Sequence, residues 1–210
     1  MGKLSDLFSI TDEQAMWRVQ AQDDHAAFAR LVQRWELPIL RLCERMTGDQ
    51  GEDLKQETFA RAFLKRKEFR GGCKFSTWLW RIALNLCYDE LRKRQRRGEN
   101  CGGPESEDGI DLPESASPEL APDLQVAARE ECEVVRCALL RLPLTLQTAL
   151  GLRYCEGLKV REIAEILEIP ETTAGSRIAA GLEQISRILG PQLDAIQERK
   201  EHKIRTANDV

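Results

Sequence analysis

Hydrophobic and polar positions repeat with a helical period along most of the chain, most clearly over residues 75–97. Ser76 is a good helix N-cap, and no glycine or proline interrupts the stretch from there to Arg97. At about 100° per residue, the apolar side chains of this stretch cover roughly 200° of the helix circumference. The predicted core positions are Leu79, Trp80, Ile82, Ala83, Leu84, Leu86, Cys87 and Leu91.

The remaining arc of the same helix mixes large aromatic side chains with cations. Six residues form this basic–aromatic face, with Asp89 at its edge: Trp78, Arg81, Asn85, Tyr88, Arg92 and Arg96. Aromatic rings stack on exposed bases and cations hold phosphates, so the face is typical of proteins that bind single-stranded nucleic acid. The alternative is an amphipathic helix whose Trp78 and Tyr88 pack under a neighbouring segment.

Three more helices are predicted before residue 67. Residues 11–14, TDEQ, have the form of a capping box and open a short helix to about Gln20. An aspartate at position 23 or 24 caps the second helix, which Pro38 should kink or split and Gly48 should end. The inner side of the third helix carries Leu54, Phe59, Ala62 and Phe63.

The outer side of the third helix is polar, and most such surfaces are simply solvated. This polar face consists of Asp53, Gln56, Glu57 and Arg61. The segment Lys67–Lys74, KEFRGGCK, comes next as a glycine-containing loop that leads into the helix over 75–97. We call this segment the glycine loop.

The composition changes abruptly after Arg97. Residues 98–125 hold eight acidic side chains, no basic one, and many Gly, Pro and Ser residues, which predicts a flexible acidic linker over 98–123. Composition by itself indicates a solvated spacer. The formal net charge of −4 therefore hides a first segment, residues 1–97, in which bases outnumber acids by five.

Helical periodicity resumes over residues 124–190. A helix to Leu142 carries the candidate core positions Val126, Val134, Val135, Ala138, Leu139 and Leu142. A second helix runs from Thr145 to about Cys155, and two further helices, KVREIAEIL and about Glu171 to Leu189, flank the tight turn EIP. This is the helix-turn-helix plan, although three-helix cores that never bind DNA share the outline. The tail, 191–210, is expected to extend the last helix and then fray. Its cations are either solvated or contact phosphate, and they are Arg199, Lys200, Lys203 and Arg205.

The fold class expected from these patterns is all-α, with two small helical domains joined by the linker. None of the seven cysteines forms a CxxC pair, so a zinc site, another metal site or a disulfide framework is not expected, and Cys43 and Cys87 are predicted core thiols. No catalytic motif or cofactor motif is present, so an enzyme is not expected. No signal-like or membrane-spanning segment is present, which predicts a cytoplasmic protein without membrane insertion.

Two sets of motifs resemble the extracytoplasmic-function (ECF) type of bacterial sigma factor, of the sigma-70 family. The first domain carries GEDLKQETFARAF and KFSTWLWRIALNLCYDELRKRQRR, and the second carries LRLPLTLQTALGLRYCEGLKVREIAEILEIPETTAGSRI. The resemblance implies a subunit that binds core RNA polymerase, recognises the minus-ten and minus-thirty-five promoter elements and promotes DNA melting. It also implies silencing by an anti-sigma factor. For the acidic linker it implies an alternative to the solvated spacer, in which the carboxylates enter the basic RNA path of the polymerase.

The resemblance assigns residues to each task. The polar face would dock on the coiled coil of the largest polymerase subunit. The glycine loop and the basic–aromatic face would lie against the non-template strand of the minus-ten element. Between them, the start of the helix would contribute Lys74, Phe75, Ser76 and Thr77. Backbone contacts to the flanking duplex would come from Lys93, Arg94, Arg96 and Arg97. The start of the last helix would enter the major groove of the minus-thirty-five element, where the contacts would come from Thr172, Thr173, Ser176 and Arg177.

The second domain departs from the family pattern in two places. Gly175 stands where the family usually has Lys, and Ala179, Ala180, Gly181 and Leu182 replace further cations, which predicts weak upstream recognition. Glu168 occupies a turn position that usually has Gly, which predicts strain if φ is positive there. Two alternatives to a sigma factor remain: a stand-alone helix-turn-helix regulator, and a sigma-like polymerase-binding protein that does not read promoters.

Overall fold

The computed structural model describes residues 10–98 and 134–208, with side chains described as far as Gly190. All regular secondary structure in these residues is helical, which confirms the predicted fold class. The chain divides near residue 101 into two compact units. The predicted linker lies, apart from Gly98, outside the described residues.

Four helices build the first unit. They are α1 Asp12–Gln22, α2 His25–Thr47, α3 Gly51–Leu64 and α4 Phe75–Arg96, with short 3-10 turns at Gly48–Gln50 and Arg66–Glu68. Three predicted helix ends are confirmed: the start of α1 and both ends of α2. Thr11 makes both hydrogen bonds of the capping box, the Asp24 carboxylate accepts the Ala27 N–H at 2.9 Å, and Gly48 ends α2 with φ 64°.

The core of the first unit draws large side chains from all four helices. The buried set includes Met16, Leu31, Ile39, Leu42, Phe59, Leu79, Trp80 and Leu84. Trp35 meets Trp80 edge to face at 6.4 Å between ring centroids, and its Nε1 donates to Asp12 Oδ2 at 2.9 Å. The start of α3 is in close contact with α2 at Gly51. A Cβ atom there would lie 2.8 Å from Glu44 Cα, so only glycine fits without a shift of the backbone.

The two predicted core thiols lie side by side. Cys43 and Cys87 are both fully buried, with their sulfur atoms 3.8 Å apart. Contact with the Cys87 thiol, together with burial, raises the pKa of Cys43 above its ordinary value. The Cys43 side chain therefore stays protonated and acts as a small apolar group, as predicted.

One local prediction for the first unit was wrong, and one half of another is excluded. Ser76 is not the N-cap: the cap lies two residues earlier, at Lys74, which makes no side-chain hydrogen bond, and α4 begins at Phe75. Of the kink or split expected at Pro38, the split does not occur, because α2 runs as one helix through Thr47, and the kink stays a prediction. Proline removes one backbone donor there, and burial of Ile39 and Leu42 just beyond it holds the helix against the core.

The second unit contains helical residues 134–140, which we call α5, and three further helices. These are α6 Leu144–Leu150, extended by a π-helical turn Gly151–Cys155, then α7 Val160–Leu167 and α8 Glu171–Asn208. The part of the predicted helix over 124–133, with the candidate core position Val126, lies outside the described residues. In residues 10–98 and 134–208, no helix is both long and apolar enough to cross a bilayer.

The predicted core of the second unit is confirmed only in part. Ala138 and Leu142 are buried, Val134 and Leu139 are partly exposed, and Val135 is 41% exposed. Val135 lies three residues before Ala138 and therefore on the same side of α5, so helical spacing alone does not decide its burial. The last helix continues past Leu189 to Asn208, so the backbone of the tail is helical through that residue.

Candidate functional site

The polar face of α3 is open to solvent. Asp53, Gln56 and Glu57 are exposed and Arg61 is partly exposed. The Arg61 Nε donates to Glu57 Oε1 at 2.6 Å, an ion pair between side chains one helical turn apart. The face therefore presents carboxylates and an amide held in a defined row.

An exposed leucine extends this row. Leu64 is 74% exposed at the end of α3, seven residues after Glu57 and three after Arg61, which places all three on one side of the helix. Sequence reasoning missed Leu64, although its spacing from Glu57 was a sufficient signal. The surface thus combines charged groups with an apolar end, as protein-binding surfaces often do.

The basic–aromatic face of α4 also reaches solvent. Asn85, Arg92 and Arg96 are exposed, and Trp78, Arg81 and Tyr88 are partly exposed. The opposite side of the helix carries the buried residues Leu79, Trp80, Ala83, Leu84, Leu86 and Cys87, whereas Ile82 and Leu91 are partly exposed. Neither aromatic ring of the face is sealed beneath protein in the first unit.

Trp78 has both a structural and an exposed side. Its ring lies 5.5 Å from the Phe69 ring and 6.1 Å from the Phe75 ring, measured between centroids. Phe69 belongs to the glycine loop, so Trp78 joins that loop to α4. The indole nevertheless stays partly exposed.

The start of α4 is only partly available for binding. Phe75 and Thr77 are buried, so their side chains do not face DNA as the sequence predicted, whereas Lys74 is exposed and Ser76 is partly exposed. Phe75 packs edge-on against the ring of Phe69, with 6.0 Å between the ring centroids. The accessible chemistry here is that of Lys74, Ser76 and the loop backbone.

Three of the cations at the end of α4 pair with acids of the same helix. Arg92 lies 3.3 Å from Asp89, whereas Lys93 and Arg94 lie 3.6 and 3.8 Å from the buried Glu90. An exposed pair such as Arg92–Asp89 contributes little to stability. A phosphate can therefore replace Asp89 as the partner of Arg92 at little cost in free energy.

A carboxylate from another helix replaces the missing cap of α4. Glu13 of α1 accepts the Phe75 backbone N–H at 3.0 Å. Burial alone would raise the pKa of Glu13, but this bond, further hydrogen bonds near Thr11 and the charge of Lys74 hold the pKa below its ordinary value of 4.5. Glu13 thus fixes the point at which the glycine loop becomes helix.

Glu13→Ala should destabilise the first unit by about 1 kcal/mol at pH 7, the usual cost of losing a helix cap. Because the pKa is lowered in the folded state, the stabilisation is present above pH 4.5 and disappears as the pH falls through the folded value. Urea unfolding followed by tryptophan fluorescence measures this, because all four tryptophans lie in the first unit. The exposed Glu68→Ala is the matched control, and a Glu13→Ala deficit that persists unchanged at pH 3 would contradict the assignment.

The helix-turn-helix of the second unit has the predicted turn. Glu168 has φ 55°, so this side chain occupies a left-handed position that favours glycine. The Ile169 N–H donates to the Ala164 carbonyl at 3.1 Å and closes the end of α7. In the first turns of α8, Thr172 and Ser176 are exposed and Thr173 and Arg177 are partly exposed.

The shortage of cations on α8 has a steric reason at one position. A Cβ atom on Gly181 would lie 2.7 Å from Leu150 Cδ1, so α8 packs too closely against α6 for a larger residue. Gly175 differs, because a Cβ atom there would lie 3.9 Å from Val160 Cγ1, an ordinary contact. Packing therefore accounts for Gly181 but does not require Gly175.

Each of the two units matches the model of a known protein family. The family model for sigma-70 region 2 matches residues 31–97, and that for sigma-70 region 4 matches residues 132–185. The ECF RNA polymerase sigma factor SigW of Bacillus subtilis is 34% identical over 79% of this chain and 90% of its own length. The ECF RNA polymerase sigma-E factor of Escherichia coli is 33% identical over 87% of this chain and 96% of its own length.

Solved structures share the fold. CnrH, in complex with the cytosolic domain of CnrY, superposes with a TM-score of 0.60 and 22% identity, covering 86% of this chain and 95% of CnrH. The sigma factor RpoE of Bartonella quintana, in complex with the anti-sigma factor NepR, gives a TM-score of 0.61 and 22% identity, covering 78% and 96%. At this level of identity the likeness concerns the fold.

Proposed function

The chain belongs to the ECF sigma factors of the sigma-70 family, and on that basis we propose which surfaces perform the steps of transcription initiation. The polar face of α3 docks on core RNA polymerase, the basic–aromatic face of α4 holds the melted minus-ten element, and the start of α8 contacts the minus-thirty-five element. The exposure of the basic–aromatic face is the observation that carries the proposal. The protein works by binding, without catalysing a reaction, in the cytoplasm.

The docking step rests on the composition of the polar face. Glu57 and Asp53 offer carboxylates to basic side chains of the polymerase, and the exposed Leu64 supplies apolar area at one end. Charged groups at the edge of such a contact set orientation and rate, while a desolvated apolar anchor contributes most of the affinity. We therefore add Leu64 to the docking surface.

The melting step rests on the chemistry of α4. Trp78 and Tyr88 provide ring surface for unpaired bases, and Asn85 has an amide that can hydrogen-bond a base edge. Arg92 and Arg96 are exposed and can bind phosphates. Unstacking a base step costs a few kcal/mol, and stacking on a ring returns part of that free energy. The glycine loop and Lys74 complete this surface, and the side chains of Phe75 and Thr77 support it from inside.

The upstream contact rests on fewer groups. Thr172, Thr173 and Ser176 can donate hydrogen bonds to DNA, although the Ser176 hydroxyl donates to the Thr173 carbonyl at 3.0 Å in this structure. Arg177 is the one cation among the four proposed contacts. Each absent phosphate contact removes a counterion-release contribution, so we expect recognition of the minus-thirty-five element to be weak.

Gly175→Lys should strengthen binding of the reconstituted holoenzyme to a promoter duplex several-fold. The added ammonium group gains one phosphate contact, which steepens the dependence of log affinity on log salt by about 0.9. Titration at several salt concentrations measures the slope. Gly190→Lys is the control, because a Cβ atom there meets nothing within 4 Å and the residue lies far from the start of α8. If both variants show the same slope of log affinity against log salt, position 175 does not contact DNA.

An anti-sigma factor is the proposed negative regulator. CnrH and RpoE were both solved with a protein partner, named in the second case as an anti-sigma factor. In the first unit of this chain, Leu37 is 57% exposed and Leu64 is 74% exposed, and exposed apolar groups of this size suit a partner that covers them. Co-purification of the chain with the product of a neighbouring gene tests this proposal.

In-vitro transcription with core RNA polymerase on a pool of promoter fragments tests the proposed function. Adding the chain should produce transcripts from a small subset of fragments that share a minus-ten sequence. A stand-alone regulator would instead bind duplex DNA without polymerase. A sigma-like protein that does not read promoters would bind polymerase without selecting any fragment, and either of these results would overturn the proposal.

A further inference from the structure

Helix α1 supports the glycine loop along its whole length. One side of α1 carries Glu13, Trp17 and Gln20. Trp17 follows Glu13 by four residues and precedes Gln20 by three, which are the spacings of neighbours on one face of a helix. Gln20 Nε2 donates to the carbonyls of Arg66 and Phe69, the latter at 2.6 Å. Glu13 accepts the Phe75 N–H at the other end.

Trp17 stands between these two anchors. A Cβ atom built on Gly71, in the middle of the loop, would lie 3.7 Å from Trp17 Cζ2, so the indole is next to the loop backbone. Unlike its two neighbours on α1, Trp17 is a large apolar group that stays 52% exposed. An indole left half in water beside an ordered loop presents ring surface that packing within the unit does not use.

The space around this ring is open. A shallow depression of about 390 Å³ runs along α1 and is lined by Ile10, Gln14, Trp17, Arg18, Ala21 and Gln22. The depression is too open to enclose a ligand, but it leaves one side of the Trp17 ring accessible. On the loop side, a Cβ atom on Gly72 would meet nothing within 4 Å, so a strand can approach the backbone there.

The charges nearby favour a polyanion. Arg18, Arg70 and Lys74 are exposed on α1 and the glycine loop. Between residues 65 and 74 the chain has five cations and one acid. Glu13, the acid on the same side of α1 as Trp17, is held by the Phe75 N–H. A half-exposed ring beside cations and an open glycine backbone is the combination that holds single-stranded nucleic acid.

We propose that Trp17 stacks on one unpaired base of the non-template strand, next to the segment held by the glycine loop and α4. The inference rests on the proposed function, and it extends the DNA surface from α4 onto α1. Trp17 then forms a second aromatic platform, separated from Trp78 by the loop. The occupant is a nucleobase of melted promoter DNA.

Open-complex lifetimes on abasic promoters test this stacking. Holoenzyme reconstituted with the full chain is placed on a promoter taken from the pool, in an intact form and in forms that each lack one non-template base in or beside the minus-ten element. Trp17→Ala should shorten the lifetime about tenfold on intact DNA, the usual effect of losing one base stack. On one abasic form the variant and the wild type should differ less than twofold, because the stacked base is already gone.

Two further variants separate stacking from loop support. Trp17→Phe keeps an aromatic ring and should retain most of the lifetime. Gln20→Ala weakens the loop anchor but keeps the indole, so its effect should be equal on every abasic form. A Trp17→Ala loss of similar size on all abasic forms, or no loss on intact DNA, would overturn the inference. Failure of the wild-type holoenzyme to transcribe at all would instead contradict the proposed function.

Discussion

Glu57→Lys is expected to weaken binding to core RNA polymerase about a hundredfold. The substitution places a cation on the polar face of α3, opposite the basic surface proposed as its partner, and it also removes the ion pair with Arg61. Like charges within a contact are costly, whereas the lost surface pair contributes little. Fluorescence anisotropy of the labelled chain, titrated with core enzyme, measures the affinity.

Glu183→Lys is the matched control for this prediction. Glu183 forms the same kind of exposed pair, with Arg187 one turn away on α8, but it lies outside the proposed docking surface. The affinity of the Glu183→Lys variant for core polymerase should stay within about twofold of the wild-type affinity. A Glu57→Lys variant that also binds normally would exclude the polar face as the docking site.

Asn85→Ala should reduce open-complex formation about tenfold and leave polymerase affinity unchanged. The exposed amide of Asn85 lies in the middle of the basic–aromatic face, where it can hydrogen-bond the edge of an unpaired base. Permanganate reactivity of promoter thymines measures melting, and anisotropy measures affinity for the polymerase. Gln33→Ala, an exposed amide on α2, controls for loss of a surface amide.

The two assays respond differently to the competing explanations. Equal losses of melting and of polymerase binding in Asn85→Ala would mean that the side chain supports the fold or the docking surface. Trp78→Ala is less informative by itself, because its ring packs on Phe69 and Phe75 and its removal also disturbs the glycine loop.

Features that depend on neighbouring residues could be predicted from the sequence. The capping box at Thr11, the cap at Asp24 and the end of α2 at Gly48 each rest on contacts within a few residues, so the local sequence specifies them. The two sides of α4 follow from helical spacing alone. The strained turn at Glu168 followed from the position of the helix-turn-helix turn.

Features that depend on distant parts of the chain were missed. The cap of α4 comes from Glu13, which is 62 residues away from Phe75, and the local candidate Ser76 is unused. Burial of Phe75 depends on how the glycine loop folds back, which no periodicity in α4 indicates. The exposure of Trp17 likewise depends on the path of the loop past α1.

A photo-crosslinking amino acid on α4 provides the most direct measurement of where the melted strand lies. Tyr88→p-benzoylphenylalanine keeps an aromatic ring on the basic–aromatic face, and the holoenzyme carrying it is irradiated on a promoter with each strand labelled separately. We predict a crosslink to the non-template strand within the minus-ten element, present in the open complex and absent when the promoter is held closed. Crosslinks that form only to polymerase, or equally to both strands of closed duplex, would contradict the assignment of this face to separated DNA.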